Sequence, residues 1–378
     1  MPKNVIIIKE TIMSISKYRY NQEAIKNLKI KDTSILDSLI DFESARKAHL
    51  EKEHSKVDKR MSLKEAVAEY VHDGDVLTDT GFAYVRTPHQ AYFEMVRQGK
   101  KGLHAIGAPN TNQSFMINFG TVAYSHNSYV GAEMRGTDRN YSRSVKEGKV
   151  AILSEWSHGG VALGLKAAQL GAPGLLSKQM LGSDIMKYNP YIRTIQNPMR
   201  NDPDPVAFIP ALYPDIAIIH VQAADKFGNA YIYGPVVNDT AIAAASKRLI
   251  ITAEEIVPED TLRYNGKKGV TLPFIYADAV VELPFGAAPG NMPGHYYWSR
   301  QWWEKLMRYA CKNEQNFTEF FDEWVMNAKD QFEFVEKLGG AKWITEARRQ
   351  TKAAENDNED IDFSYQEYTL DNDSGIYY

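Results

Sequence analysis

The sequence predicts an α/β fold: an open, largely parallel sheet with helices on both faces. Three observations carry that expectation. First, strand-like apolar runs alternate with helical spacing through the middle of the chain, as where the alanine-rich helix Thr240–Ser246 runs into the strand Arg248–Ala253. Second, Asp215–Val221, DIAIIHV, is almost continuously apolar, the pattern of a strand covered on both faces. Third, DGDVLTDTGFAYVRTPHQ, Asp73–Gln90, reads as strand, glycine turn and helix. Val76 and Leu77 start the strand, and Gly81 permits a backbone that a side chain would hinder. Pro88 suits the first turn of a helix carrying Ala91, Tyr92, Met95 and Val96. Such a turn presents N–H groups that suit an anion or a developing oxyanion. The same unit also serves as an ordinary connection in α/β proteins.

Residues 1–60 read as an N-terminal helical extension, because Asp41–Arg60 is charged on nearly every face. A second unit, 61–330, opens on a capping box, with Ser62 before the helical spacing of Leu63, Ala66, Val67, Tyr70 and Val71 and Glu65 three residues on. Gly74 closes that helix, the Asp73–Gln90 unit follows, and LHAIGAP from Leu103 is the next strand. From Phe115 to Gly174 the pattern gives a short helix, a strand, a loop, a helix, a strand and a helix. A Pro- and Gly-rich loop, Pro284–His295, delivers Tyr296, Tyr297, Trp298, Trp302 and Trp303, a density expected of packing. Residues 331–378 close the chain. One helical stretch is expected from Thr318 to about Leu338, and beyond Lys352 an acidic polar tail, flexible or laid on a partner.

The 378 residues suffice for one large core with appendages, and a net charge of −4 gives no sign of a nucleic-acid surface. The single cysteine, Cys311, permits neither an intrachain disulfide nor a cysteine-based metal site, and no pattern of histidines and carboxylates suggests another metal. The apolar run in MPKNVIIIKE is too short for a signal-peptide core and no stretch approaches a membrane span, so a soluble cytoplasmic protein is expected.

In a parallel sheet ligands lie at the carboxyl ends of strands. Three loops fall there: Thr80–Arg86, Val130–Gly136 and Ser154–Gly160. Each carries Gly beside polar groups, which makes either a shared site or three routine turns.

Several ordered motifs resemble the A (alpha) subunit of family I CoA-transferases, of the glutaconate CoA-transferase type. Asp73-Gly74, Gly81-Phe82 and Pro88 stand in the family's order, with Thr80 in place of a first Gly and Asp79 interrupting the apolar strand. RQGKKGL from Arg97, EWSHGG from Glu155, GSDIMKYNPYIRTI from Gly182, IPALYPDIAIIHVQAADKFGNAYIYG from Ile209, ITAEEIV from Ile251 and PGHYYWSRQWW from Pro293 extend it over roughly Met61 to Asp330. The resemblance implies a CoA-transferase-type seven-stranded sheet and a B (beta) subunit of the same fold, in a heterotetramer or larger. That B subunit carries the nucleophilic Glu, and a coenzyme A thioester enters as substrate with no bound cofactor.

On that reading Gly81, Phe82 and Ala83 present backbone donors to the substrate. Arg86 binds either a substrate carboxylate or a surface acid. Gly131 belongs to the second loop, and Arg139 lies near enough in sequence to orient an acyl carboxylate. Ser157 and His158 either hydrogen-bond the acyl group or cap the following helix. His220, inside an apolar strand, reads as a satisfied core histidine; Glu254 and Glu255 follow a strand and can reach the site. Glu133 is the candidate catalytic residue. A branch of the same superfamily opens a ring of a CoA thioester hydrolytically with a Glu after a similar Val-Gly-aromatic pattern, and Ala132 stands here where that branch has Phe. Glu133 is therefore either a general base or a surface carboxylate. The resulting readings are a transferase subunit, a ring-opening hydrolase subunit, and a non-catalytic scaffold.

Overall fold

The computed structural model describes residues 16–79, 81–107, 114–126, 128–131, 138–263 and 269–355. Thr80, Glu133, Arg135 and the acidic tail from residue 356 onward lie outside the described residues.

Its strands in chain order are β1 Val76–Asp79, β2 Leu103–Ala105, β3 Val122–Ser125, β4 Ala151–Ile152, β5 Gly174–Ser177, β6 Arg193–Gln196, β7 Pro205–Pro210, β8 Ile216–Ala224, β9 Ala230–Tyr231, β10 Arg248–Ile256 and β11 Ala279–Glu282. The helices are α1 Gln22–Leu28, α2 Phe42–Glu51, α3 Leu63–Tyr70, α4 His89–Arg97, α5 Ser114–Asn118, α6 Arg139–Lys146, α7 His158–Gln169, α8 Asp239–Ala245, α9 Glu259–Arg263, α10 Arg300–Arg308, α11 Glu314–Phe321, α12 Gln331–Leu338 and α13 Gly340–Glu355.

An 8-stranded sheet runs β11-β10-β8-β1-β2-β3-β4, with β9 attached to β8. Every pair along that path is parallel, and only β9 runs antiparallel. The expected α/β class is therefore present. β8 is buried at each position, which is why its sequence lacks polar alternation. Strand side chains point alternately to the two faces, and two cores result. Leu77, Ile216, Ile218, Ile250 and Val281 join α3, α4 and the aromatic residues of the C-terminal helices on one face. Val76, Ala217, Ile219, Ile251 and Val280 join α7, α8 and the N-terminal segment on the other.

Local signals account for many helix ends. Ser62 and Glu65 form the reciprocal capping box at α3, and Ser157 caps α7 by accepting from the Gly160 N–H. The C-terminal stretch differs from the single helix expected. It breaks between α11 and α12, where Asp330 accepts from the Phe332 and Glu333 amides and starts a new helix, and α13 continues past Lys352 to Glu355. Phe93, Phe317, Phe321 and Phe334 are fully buried between these helices and α4. Each such ring contributes about 1.5–3 kcal/mol.

The N-terminal segment also buries more than its charge suggests. Leu36 and Leu39 are fully buried in the second core, and the Tyr213 amide donates to the Leu39 carbonyl at 2.7 Å. The Lys59 ammonium donates to the carbonyls of Glu53, Phe274 and Ala277, fastening the linker to the segment before β11. A second, 3-stranded antiparallel sheet, β5-β7-β6, had no counterpart in the sequence reading. No helix among the described residues is long and apolar enough to cross a membrane.

Candidate active site

The loop after β1 sits at the carboxyl end of the strand between β8 and β2. Gly81 has φ +94°, and a Cβ there would stand 2.0 Å from the Val85 carbonyl oxygen. The Phe82 amide donates to Val85 O at 3.1 Å and the Val85 amide returns to Phe82 O at 2.9 Å. Phe82 N–H therefore closes the turn, and it is not among the donors the turn presents to a ligand, contrary to expectation. Phe82 itself is exposed and Ala83 buried. Ala83 and Arg86 occupy the left-handed region at φ 54° and 60°. Each such residue costs about 1–3 kcal/mol, so the surroundings must over-determine the conformation.

Those surroundings are visible. The Arg86 amide donates to Asn291 O at 2.8 Å, and the Asn291 amide to Tyr84 O at 2.6 Å. The Tyr84 ring lies 5.2 Å from Trp298, stacked, and 4.4 Å from Trp303. The aromatic-rich PGHYYWSRQWW motif thus packs against the turn. Arg86 corrects the sequence reading. Its side chain is fully buried, and Nη1 and Nη2 each donate to an Asp239 carboxylate oxygen at 2.9 Å. Its partner is neither a substrate carboxylate nor a surface acid but a buried Asp 153 residues away. Burial makes that pairing obligatory, because an uncompensated charge there is strongly disfavoured.

On the same side, His220 is fully buried between Thr252 Oγ1 and Glu254 Oε1, each at 2.9 Å, so the core-histidine reading holds. Glu254 also accepts from Tyr296 Oη at 2.5 Å and the Phe285 amide at 2.8 Å. Burial beside that carboxylate pushes the Tyr296 phenol well above its ordinary pKa. Glu254 is therefore committed to internal donors, while Glu255 is exposed.

The residues after β3 that lead into the second loop meet the third loop, which follows β4. Ser128 Oγ and His158 Nδ1 are 2.8 Å apart, and the Tyr129 and His158 rings lie 6.2 Å apart. Gly131 is crowded by Tyr129, whose Oη lies 2.1 Å from where a Cβ would be. Ser157 fills the capping alternative at α7. The GSDIMKYNP segment packs underneath: the Glu155 amide donates to Tyr188 O, and Asn189 Nδ2 to Glu155 O. Arg139 is exposed on the first turn of α6, whereas Arg143 is bound to Cys311 O and Asn140 Oδ1. With β2 between β1 and β3, the first and second loops start about 10 Å apart.

A chain of neutral groups beneath these loops escaped the sequence reading. The Trp156 indole N–H donates to Ser154 Oγ at 2.7 Å, Ser154 Oγ lies 2.8 Å from His126 Nδ1, and His126 Nε2 lies 3.3 Å from His104 Nδ1. An indole N–H can only donate, so Ser154 Oγ accepts from Trp156, and it shares a further hydrogen bond with His126 Nδ1. Desolvation by burial pushes His104 down to about 4 and His126 well below its usual value. Among the described residues, no group of three or more His, Cys, Asp or Glu side chains is placed to hold a metal ion.

The coenzyme A transferase family profile matches residues 60–283. This chain belongs to that family. It is 31% identical over 304 residues to the A subunit of glutaconate CoA-transferase from Acidaminococcus fermentans, covering 76% of this chain and 94% of that one. An uncharacterized protein of Archaeoglobus fulgidus is 36% identical over 302 residues, covering 79% of this chain and 66% of its own length. The crystal structure of the Acidaminococcus fermentans glutaconate coenzyme A-transferase superposes with a TM-score of 0.72 at 30% identity, covering 76% of this chain and 94% of that chain. A more distant relative, 25% identical over 290 residues (75% of this chain, 97% of that one), is the cholesterol ring-cleaving hydrolase IpdA subunit of Rhodococcus jostii.

Proposed function

We propose that this family member is the A subunit of a heteromeric CoA-transferase, moving CoA between a carboxylic acid and an acyl-CoA thioester. The observation that carries the reading is the strained Gly81 turn at the carboxyl end of a central parallel strand, in a chain that aligns with a glutaconate CoA-transferase A subunit over 94% of that subunit's length. The commitment of Glu254 to three internal donors supports a nucleophile supplied by another chain.

The thioester carbonyl is attacked by a Glu of the B subunit, the CoA thiolate leaves and a mixed anhydride forms. The thiolate then attacks the glutamyl carbonyl, releasing the first carboxylate and leaving a glutamyl-CoA thioester. The acceptor acid reverses these steps. This chain's turn and its second and third loops shape the acyl pocket. The substrate is the CoA thioester and no cofactor is bound. The pair assembles as a heterotetramer or larger, and the single cysteine, Cys311, fits a reducing cytoplasm.

The second reading, a hydrolase with Glu133 as base, is favoured by one fact: Glu133 stands five residues along the chain from Ser128, whose hydroxyl meets His158. The co-expressed A/B pair, given acyl-CoA donors with acceptor acids and separately cyclic CoA thioesters, discriminates. Acceptor-dependent CoA transfer supports the first reading, ring opening without acceptor the second, and neither a scaffold. Glu133→Gln abolishes turnover in a hydrolase, since it keeps the shape and removes the base, and costs much less in a transferase.

A further inference from the structure

We infer that Arg86 and Asp239 are a positioning pair, whose buried fork sets the backbone of the Phe82–Arg86 turn against its neighbours; the functional part of this inference rests on the transferase reading. Arg86 stands at φ 60°, where glycine would be less strained, so its side chain must return something for the conformation. It returns a two-point link. Besides the two bonds to Asp239, Nη2 donates to Pro235 O at 2.8 Å and Nη1 lies 3.4 Å from the His220 carbonyl in β8. Asp239 is the first residue of α8 and also accepts from the Val237 amide at 3.2 Å. One side chain therefore joins the turn after β1 to the neighbouring strand, to the 235–239 segment and to a helix start. From the opposite side, Asn291 and the Trp298 ring hold Tyr84. The turn cannot shift without breaking one of these grips.

Buried ion pairs are poor sources of stability, and apolar pairs of similar volume often replace them without loss. A pair kept only for stability is thus replaceable; a pair kept for position is not. The test uses the assembled A/B complex carrying R86M/D239L, R86K alone, or the control K52M/D278L, which removes the buried Lys52–Asp278 pair before β11.

Positioning predicts that R86M/D239L melts within a few degrees of wild type but loses about 100-fold in kcat, with KM for acyl-CoA changed less than about threefold. R86K, which keeps the charge and loses the fork, falls between, and the control keeps wild-type kcat. Amide hydrogen exchange over residues 82–88 gives a reading independent of activity. It quickens about tenfold in R86M/D239L and less in R86K. Should the double variant fail to fold, R86K carries both measurements. Wild-type kcat together with unchanged exchange in the folded variants overturns the inference. If the wild-type complex shows no CoA transfer, the transferase reading falls, and exchange alone decides whether the pair positions the turn.

Discussion

The two halves of the sheet's carboxyl edge are held by different chemistry. Around β1, β8 and β10 the turns are tied by charged groups: Arg86 to Asp239, and Glu254 to His220 and Tyr296. Around β2, β3 and β4 they are tied by neutral groups hydrogen-bonded in a row, Trp156, Ser154, His126 and His104. An arginine fork has no proton to lose near neutrality. The histidine pair keeps its hydrogen bond only while at least one of the two facing nitrogens carries no proton. One half is thus built to hold strain, the other to hold two loops in register under a condition on pH.

The largest expected effect breaks the charged half. Gly81→Val places a Cβ on the Val85 carbonyl at a φ that L residues avoid. The backbone alone costs about 1–3 kcal/mol, and the clash adds to it. Turnover of the A/B complex should fall at least about 100-fold. Near-wild-type kcat would show that the turn tolerates rearrangement and is not part of the site.

Acid sharpens the contrast next. A base whose pKa is lowered by folding binds its proton more readily when unfolded, so stability falls as pH falls. For His104 the loss runs from its ordinary 6.5 down to about 4 and amounts to about 3 kcal/mol, with His126 adding in the same direction. Denaturant titrations between pH 7.5 and 4.5 should show this decline, and His104→Phe should flatten it. Hydrogen exchange, corrected for intrinsic rates, should rise over 126–131 and 153–160 before it rises over 82–88. A rise in the opposite order would dissolve the distinction between the halves.

Ser154→Ala is the smaller step within the neutral half. It leaves the buried Trp156 N–H without its acceptor, at a cost of about 1–3 kcal/mol in urea unfolding, with little effect on the 82–88 segment. Smallest is removal of the acidic tail after Glu355, which should leave kcat of the complex unchanged. A large loss would place the tail in the chemistry.

Much of the frame was readable along the chain, because the signals that specify it are local. The apolar run of β8, the capping box at Ser62 and the glycine at Gly81 each reflect a period or a backbone angle set within a few residues. The three-stranded sheet was not readable: β5 and β6 are short and mostly half-exposed or exposed, so no alternation marks them. The site divides in the same way. Ser157 as a helix cap is a local matter, and capping was one of the two roles its sequence position offered.

Arg86 shows where that ends. Its charge and its place after a glycine turn were plain, yet its partner lies 153 residues on, chosen by the pairing of β1 with β8. His126 is the same case, joined to Ser154 across 28 residues because β3 pairs with β4. The sequence by itself determined the α/β class, the largely parallel main sheet and the strands with strong apolar runs, such as β8 and β10. Strand order alone decided which buried polar groups meet, because a hydrogen bond spans about 3 Å and only the folded sheet brings such distant residues that close.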